Sequence, residues 1–199
     1  EGLQECINED EESRNFYCEV IIDEAGKMNI MVKKLLTLNQ LEFGNDSVNM
    51  ERFNIVDMIS NYLKSVDLLA RQKDATIKFD EYEPIFVWGD EFKVEEVLMN
   101  YVSNALNHID SERIVEVKLV QKNNHVRVSV FNTGNPIPEE SIGHIWEKFY
   151  KVDKARTREY GGSGIGLSIV KAIMDAHNNS YGVENVDGGV CFYFEADTK

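Results

Sequence analysis

Glu96, Asn100, Asn104 and Asn107 recur every three or four residues along a segment with helical patterning. At about 100° per residue they share one narrow sector, and Leu98, Tyr101, Val102 and Ala105 take the opposite side. Solvated helix faces favour Lys and Glu, whereas Asn is a poorer helix former because its amide competes for backbone partners. A row of uncharged amides points to a polar site, and an Asn carbonyl oxygen is a hard neutral ligand suited to Mg²⁺. A solvated helix face is the competing reading. A second segment, Gly162-Ser163-Gly164-Ile165-Gly166-Leu167, opens another helix. Glycines let backbone N–H groups approach an anion, and a helix N-terminus adds a favourable dipole. A phosphate cradle and a flexible turn both fit. It is not a Walker loop, because no Lys follows Gly166, nor a Rossmann fingerprint, because Leu167 stands where the third glycine belongs. Just upstream, Lys151, Lys154, Arg156 and Arg158 form a basic island opposed only by Asp153 and Glu159. Such cations can balance a polyphosphate or close over it as a lid; a solvated loop is the alternative. Asn132-Thr133-Gly134-Asn135-Pro136 follows a strand, a place that suits a ligand-binding side chain or a plain turn.

The elements that must position these residues alternate in type. An apolar stripe at Ile21, Ala25, Met28, Val32 and Leu35 predicts one long helix from about Asp10 to Phe43, ending at Gly44. The stripe reads as a bundle seam or as a face packed on its own domain. Glu1 to Ile7 is too short for a partner helix, so the partner is expected to have been cut away. Val48–Phe53 is predicted as a strand. Asn54 and Asp57 form a capping box for a helix with Ile55, Met58, Ile59, Tyr62, Val66 and Leu69 on its apolar face. Strands are expected at Thr76–Phe79 and Ile85–Trp88, and Asp90 caps the amide-bearing helix to Asn107. Val115–Val120 and Val126–Phe131 alternate as a hairpin turning at Lys122-Asn123-Asn124. A loop-rich stretch, a helix over Gly166–Ala176, and a hairpin of Tyr181–Val186 with Val190–Phe194 turning at Gly188-Gly189 complete the chain. Mixed strands with adjacent hairpins favour a two-layer α/β sandwich, a mixed sheet with helices on one face, over a doubly wound parallel sheet.

Composition narrows the function. With 199 residues, 43% apolar and 28% charged, the chain is globular and holds one domain with a short appendage. A net charge of −14 opposes a primary role on nucleic acid. Cys6, Cys18 and Cys191 are odd in number and scattered, which excludes a disulfide framework and a cysteine zinc knuckle. No apolar run is long enough to span a membrane, no signal peptide is visible, and the polar start reads as that of an excised fragment.

Taken in order, the pieces are far more specific than any one of them. The asparagine helix, Asn132-Thr133-Gly134-Asn135-Pro136, Trp146-Glu147-Lys148-Phe149-Tyr150 and the glycine loop resemble the N, G1, F and G2 boxes of sensor histidine kinases. Gly188-Gly189 resembles a later glycine turn of that family, and Leu41-Glu42-Phe43-Gly44 resembles the end of the second helix of its dimerisation and phosphotransfer hairpin. The resemblance implies a partial hairpin at 1–44 and a catalytic ATP-binding domain of Bergerat type at 45–199. It implies ATP and Mg²⁺, with Asn104 as the metal ligand. Asn100 stands where related ATPases place a water-activating glutamate, so slow hydrolysis and transfer to another acceptor are consistent. Asn132 would receive the adenine amino group, and Gly134 and Ile137 would belong to the cofactor-binding set. Gly162, Gly164 and Gly166 would offer N–H groups to the phosphates, and Leu167 would belong to the same cofactor-binding set. Lys151, Arg156 and Arg158 would supply counter-charge, and Asn100 and Lys151 are the expected catalytic residues. Phe149 would anchor the lid or sit in the core. The implied partners are a response regulator receiver domain and, in the intact parent, a second copy. The implied location is cytoplasmic, with the parent anchored in the membrane and no membrane contact from this fragment.

The sequence departs from the family pattern at Asn132, where most members have aspartate, at Pro136 for the second glycine of the G1 box, and at Asn107-His108 for a Lys-Tyr pair. An amide at 132 can pair with adenine or, flipped, with guanine, so base discrimination is expected to be weaker than with aspartate. None of His108, His125, His144 and His177 is followed by glutamate, so the phosphoacceptor is expected on the missing first helix. The competing readings are a degenerate nucleotide-sensing or partner-binding module and an ATP-hydrolysing clamp.

Overall fold

The computed structural model describes residues 11–42, 48–152 and 163–199. Helix α1 (Glu11–Glu42) runs 32 residues, close to the expected span. The sequence stripe is present but largely uncovered: Ile21, Met28 and Val32 are exposed, and Leu38 and Leu41 are the buried residues. α1 packs against α5 (Gly166–His177). No helix among the described residues is long and apolar enough to cross a membrane.

Among the described residues seven strands form one sheet: β1 (Glu51–Asn54), β2 (Thr76–Phe79), β3 (Phe86–Gly89), β4 (Ile114–Lys122), β5 (His125–Thr133), β6 (Tyr181–Val186) and β7 (Gly189–Asp197). The order is β1-β3-β7-β5-β4-β2, with β6 also paired to β7. β2 and β4 run parallel and the other pairs are antiparallel. Period-two patterning sets the layers. Val115, Val117 and Leu119 on β4, Val126, Val128 and Val130 on β5, and Phe192, Phe194 and Ala196 on β7 are buried, and their neighbours in sequence face outward. The mixed sheet with helices on one face is the expected sandwich.

The helices that cover the buried face are α2 (Ile55–Gln72), α3 (Glu91–His108) and α5. A short α4 (Glu139–Ile142) lies in the stretch expected to be loop. Three local expectations need correction. The first strand begins at Glu51, not Val48, because the Asn49 N–H donates to Asp90 Oδ2 at 3.1 Å rather than to a ladder partner. The capping pair at α2 is not reciprocal: Asn54 Oδ1 accepts from Val56 N–H at 3.2 Å, while Asp57 accepts the Asn54 amide at 2.6 Å and steadies the cap. The α2 face runs through Leu63 and Ala70, leaving Leu69 exposed. Asp90 caps α3 as expected, accepting from Lys93 N–H at 3.2 Å.

Candidate functional site

α3 presents its amide row because its other face is locked. Val97, Leu98, Tyr101, Val102 and Ala105 are buried. The Tyr101 ring lies 5.1 Å from Phe192, and its hydroxyl donates to Tyr193 O at 3.1 Å, which fixes the rotation of the helix against β7. Glu96, Asn100 and Asn104 are left half-buried on the far side. Burial raises the pKa of the Glu96 carboxyl, against the pull of Lys34 and Lys93. Asn100 Nδ2 donates to Glu96 O at 2.8 Å. Its Oδ1 lies against the first residue of α5, where a Cβ on Gly166 would sit only 2.6 Å away. The amide row and the glycine segment therefore share a seam.

Asn107 leaves the row. Lys73, from the C-terminal cap of α2, donates to Asn107 Oδ1 at 2.7 Å and to Leu106 O at 3.3 Å. A cation at the end of α3 complements the helix dipole, and desolvation there pulls the Lys73 pKa below its ordinary value. Nothing local in the sequence links these residues; the contact spans 34 positions.

The end of β5 is stitched to the exit of α3. Thr133 Oγ1 donates to Asp110 O at 2.8 Å and accepts from Ile114 N–H at 3.0 Å; the Asp110 N–H donates to Thr133 O at 3.0 Å. Asn132 is buried on the same strand, and its Nδ2 donates to Thr133 O at 3.1 Å. The Gly134 N–H donates to Gly188 O at 3.2 Å, bringing the β6–β7 turn beneath the 132–138 loop. Ile137 is half-buried and packs on the core.

Beyond α4, Trp146 meets Tyr181 edge-on at 4.9 Å, and Tyr150 donates to Ser141 Oγ at 2.9 Å. Phe149 is no core residue: it is 55% exposed, with φ 65°, and its N–H donates to Gly164 O at 2.8 Å. That bond joins the segment carrying half-buried Lys151 to the segment opening α5. α5 begins at Gly166-Leu167, with Ile165 in the N-cap position and no side-chain cap bond. An apolar N-cap leaves the first N–H groups of the helix to other acceptors. Lys154, Arg156, Arg158 and Gly162 lie outside the described residues, as do Asp153, Glu159 and Gly44.

Residues 89–199, more than half of the chain, match the family model described as histidine kinase-, DNA gyrase B- and HSP90-like ATPase. The chain is 31% identical over 191 residues to the sensor protein kinase WalK of Staphylococcus aureus, covering 94% of this chain and 46% of that one. It spans less than half the length of the curated relatives it matches. The catalytic domain of the histidine kinase ThkA superposes with TM-score 0.67 at 29% identity, over 75% of this chain and 96% of that domain. ThkA solved in complex with the response regulator protein TrrA aligns with TM-score 0.76 at 27% identity, over 96% of this chain and 53% of that one. The chain therefore belongs to the family of histidine kinase-, DNA gyrase B- and HSP90-like ATPases, in which it carries an ATP-binding catalytic domain homologous to those of sensor histidine kinases.

Proposed function

We propose that this chain is the nucleotide-holding part of a histidine autokinase, residues 45–199 forming the catalytic domain and residues 1–44 part of a dimerisation and phosphotransfer hairpin. The observation that carries the reading is the seam between Asn100 Oδ1 and Gly166, where the amide row meets a helix N-terminus with no room for a side chain. Amide oxygens on one wall and backbone N–H groups on the other suit a metal-bound triphosphate. Among the described residues no group of three His, Cys, Asp or Glu could hold a metal alone, so ligands shared with phosphate fit this donor set better than an all-protein cage. Mg²⁺, when bound, supplies charge neutralisation of the phosphates.

The chain's own residues then divide the work. Asn104 would hold the metal, and Asn100 would orient the phosphates. Asn100 cannot accept a proton as a glutamate would, so water is not activated and the γ-phosphoryl group is kept for another acceptor. Gly162, Gly164, Gly166 and Leu167 line the phosphates, with Lys151, Arg156 and Arg158 as counter-charge. Asn132 reads the base with weaker selectivity than an aspartate, and Gly134 and Ile137 complete that wall. In the intact parent, a homodimer anchored in the membrane with this part in the cytoplasm, the γ-phosphoryl group passes to a histidine outside this chain. It passes next to an aspartate of a response regulator receiver domain. The ThkA–TrrA complex supports that class of partner.

Calorimetric titration of the chain with ATP, with and without Mg²⁺, tests the reading. Saturation that needs the metal in the wild type and is lost in Asn104→Ala is expected. No saturation by any adenine nucleotide at millimolar concentration overturns it.

A further inference from the structure

Asn185, on edge strand β6, has no part in the site described so far. It pairs in the ladder with Val190 on β7, Val190 with Asn132 on β5, and Asn132 with Val115 on β4. The four residues form one rung. Paired residues of antiparallel strands share a face, so Asn132 and Asn185 project to the same side two strands apart, roughly 10 Å. The loop from Thr133 to Pro138 starts beside one asparagine and is fastened by the other. Asn185 Oδ1 accepts from Ile137 N–H at 2.8 Å, and Asn185 Nδ2 donates to Ile137 O at 2.7 Å.

The sequence makes Ile137 the natural place for such a grip. It stands between Pro136 and Pro138, neither of which has an N–H, so Ile137 carries the one backbone donor of that tripeptide. The following proline also holds Ile137 in extended backbone, the conformation that presents N–H and C=O to a single partner. One amide satisfies both groups as a neighbouring strand would. A carboxylate lacks the donor, and a hydroxyl lacks the two-atom fork.

We propose that Asn185 is a positioning residue for nucleotide binding: it fixes the backbone of Ile137, and through it the base-side wall, without touching the nucleotide. The proposal rests on the nucleotide-site reading above, because Ile137 is taken as part of that wall. Without the grip, the Pro136–Pro138 segment must be ordered when nucleotide binds, and affinity falls.

The test uses the 199-residue chain as wild type, Asn185→Ala and Asn185→Asp. Three quantities are measured: Mg²⁺-ADP affinity by calorimetry, amide exchange at Ile137 by NMR, and the thermal midpoint. For Asn185→Ala, Kd is expected to rise about tenfold, with faster exchange at Ile137 and a midpoint nearly unchanged. Asn185→Asp keeps the acceptor for Ile137 N–H and should recover part of both the affinity and the protection. If Asn185→Ala fails to fold, the same comparison between wild type and Asn185→Asp decides. Accelerated exchange at Ile137 with unchanged Kd would overturn the positioning role and leave the nucleotide site standing. A wild type that does not bind nucleotide would overturn that earlier reading, and this one with it.

Discussion

Replacing Gly166 by Ala tests the seam directly. Gly166 is the first residue of α5 and does not adopt positive φ, so the backbone accepts an L-residue without strain. The new Cβ would lie 2.6 Å from Asn100 Oδ1 and 3.4 Å from its Cγ. Ordinary contact needs about 3.5 Å, so the oxygen must retreat by roughly 1 Å. The side chain can do this by rotating, at the expense of its 2.8 Å bond to Glu96 O. Losing that bond costs about 1 kcal/mol, and removing a glycine from the folded helix returns about 0.5–1 kcal/mol. Net stability should hardly change, with the thermal midpoint within about 3 °C of wild type. Function should change much more, because displacing a positioning group by about 1 Å can cost on the order of 100-fold in rate. Affinity for Mg²⁺-ATP, read by calorimetry, should fall at least about tenfold, or ~1.4 kcal/mol. The control is the double variant. With Asn100→Ala already present there is no oxygen to displace, so Gly166→Ala should then stabilise by about 0.5–1 kcal/mol. Strict additivity of the two substitutions, or unaltered nucleotide affinity in Gly166→Ala, would refute the reasoning.

Gly189→Ala should be severe: its Cβ would overlap the Asn132 carbonyl oxygen and lie 2.8 Å from the Phe131 ring, so β5 and β7 must part. A loss of about 3 kcal/mol in urea denaturation is expected. Asp90 titrates below its ordinary value: burial pushes it up, but bonds from the Asn49 and Lys93 N–H groups and the Lys93 ammonium outweigh that. Its stabilisation is therefore complete above the ordinary Asp pKa near 3.8 and is lost as pH falls through the lower folded value. Denaturation curves at falling pH should show wild type losing more stability below about pH 4 than Asp90→Asn, which is the less stable of the two at pH 7. His177→Leu removes a buried acceptor for the Asp90 N–H and a donor to Ile173 O, and should cost about 2 kcal/mol by chemical denaturation.

The sequence made the parts of this site legible wherever they were local. Three- and four-residue spacing placed Asn100 and Asn104 opposite Tyr101 and Ala105, and period two placed Asn132 at the end of a strand. It could not show that Asn107 turns to Lys73, because that contact joins the ends of two helices far apart in the chain. Phe149 misled for a physical reason. An aromatic residue defaults to the core, but here the backbone adopts φ 65° to reach Gly164 and leaves the ring outside. Asn185 gave only a faint signal, an amide in a strand where β-branched residues are favoured. The α1 stripe was legible, but a stripe does not say what covers it, and Ile21, Met28 and Val32 remain exposed.

Two contacts between α3 and α5, one a hydrogen bond and one a close packing, explain how the candidate site keeps its geometry. At the far end, His177 donates from Nδ1 to Ile173 O at 2.8 Å, which leaves Nε2 to accept from Asp90 N–H at 3.0 Å. Two carbonyl- and N–H-determined bonds thereby select one tautomer and lock the end of α5 to the start of α3. At the site end, Asn100 meets Gly166. From Asp90 to Asn100 is ten residues and from Gly166 to His177 eleven, so at about 1.5 Å per residue the two spans match to roughly 2 Å. Antiparallel helices bonded at one end and in close contact at the other, over equal spans, cannot slide past one another without breaking the bond or closing the contact. A buried histidine and the backbone N–H of a cap aspartate thus help hold the row of amides in register with the glycine segment. This is also why Gly166 can be a glycine at no cost to the packing of α5, whose buried residues Ile169, Val170, Ile173 and Met174 supply the hold along the rest of its length.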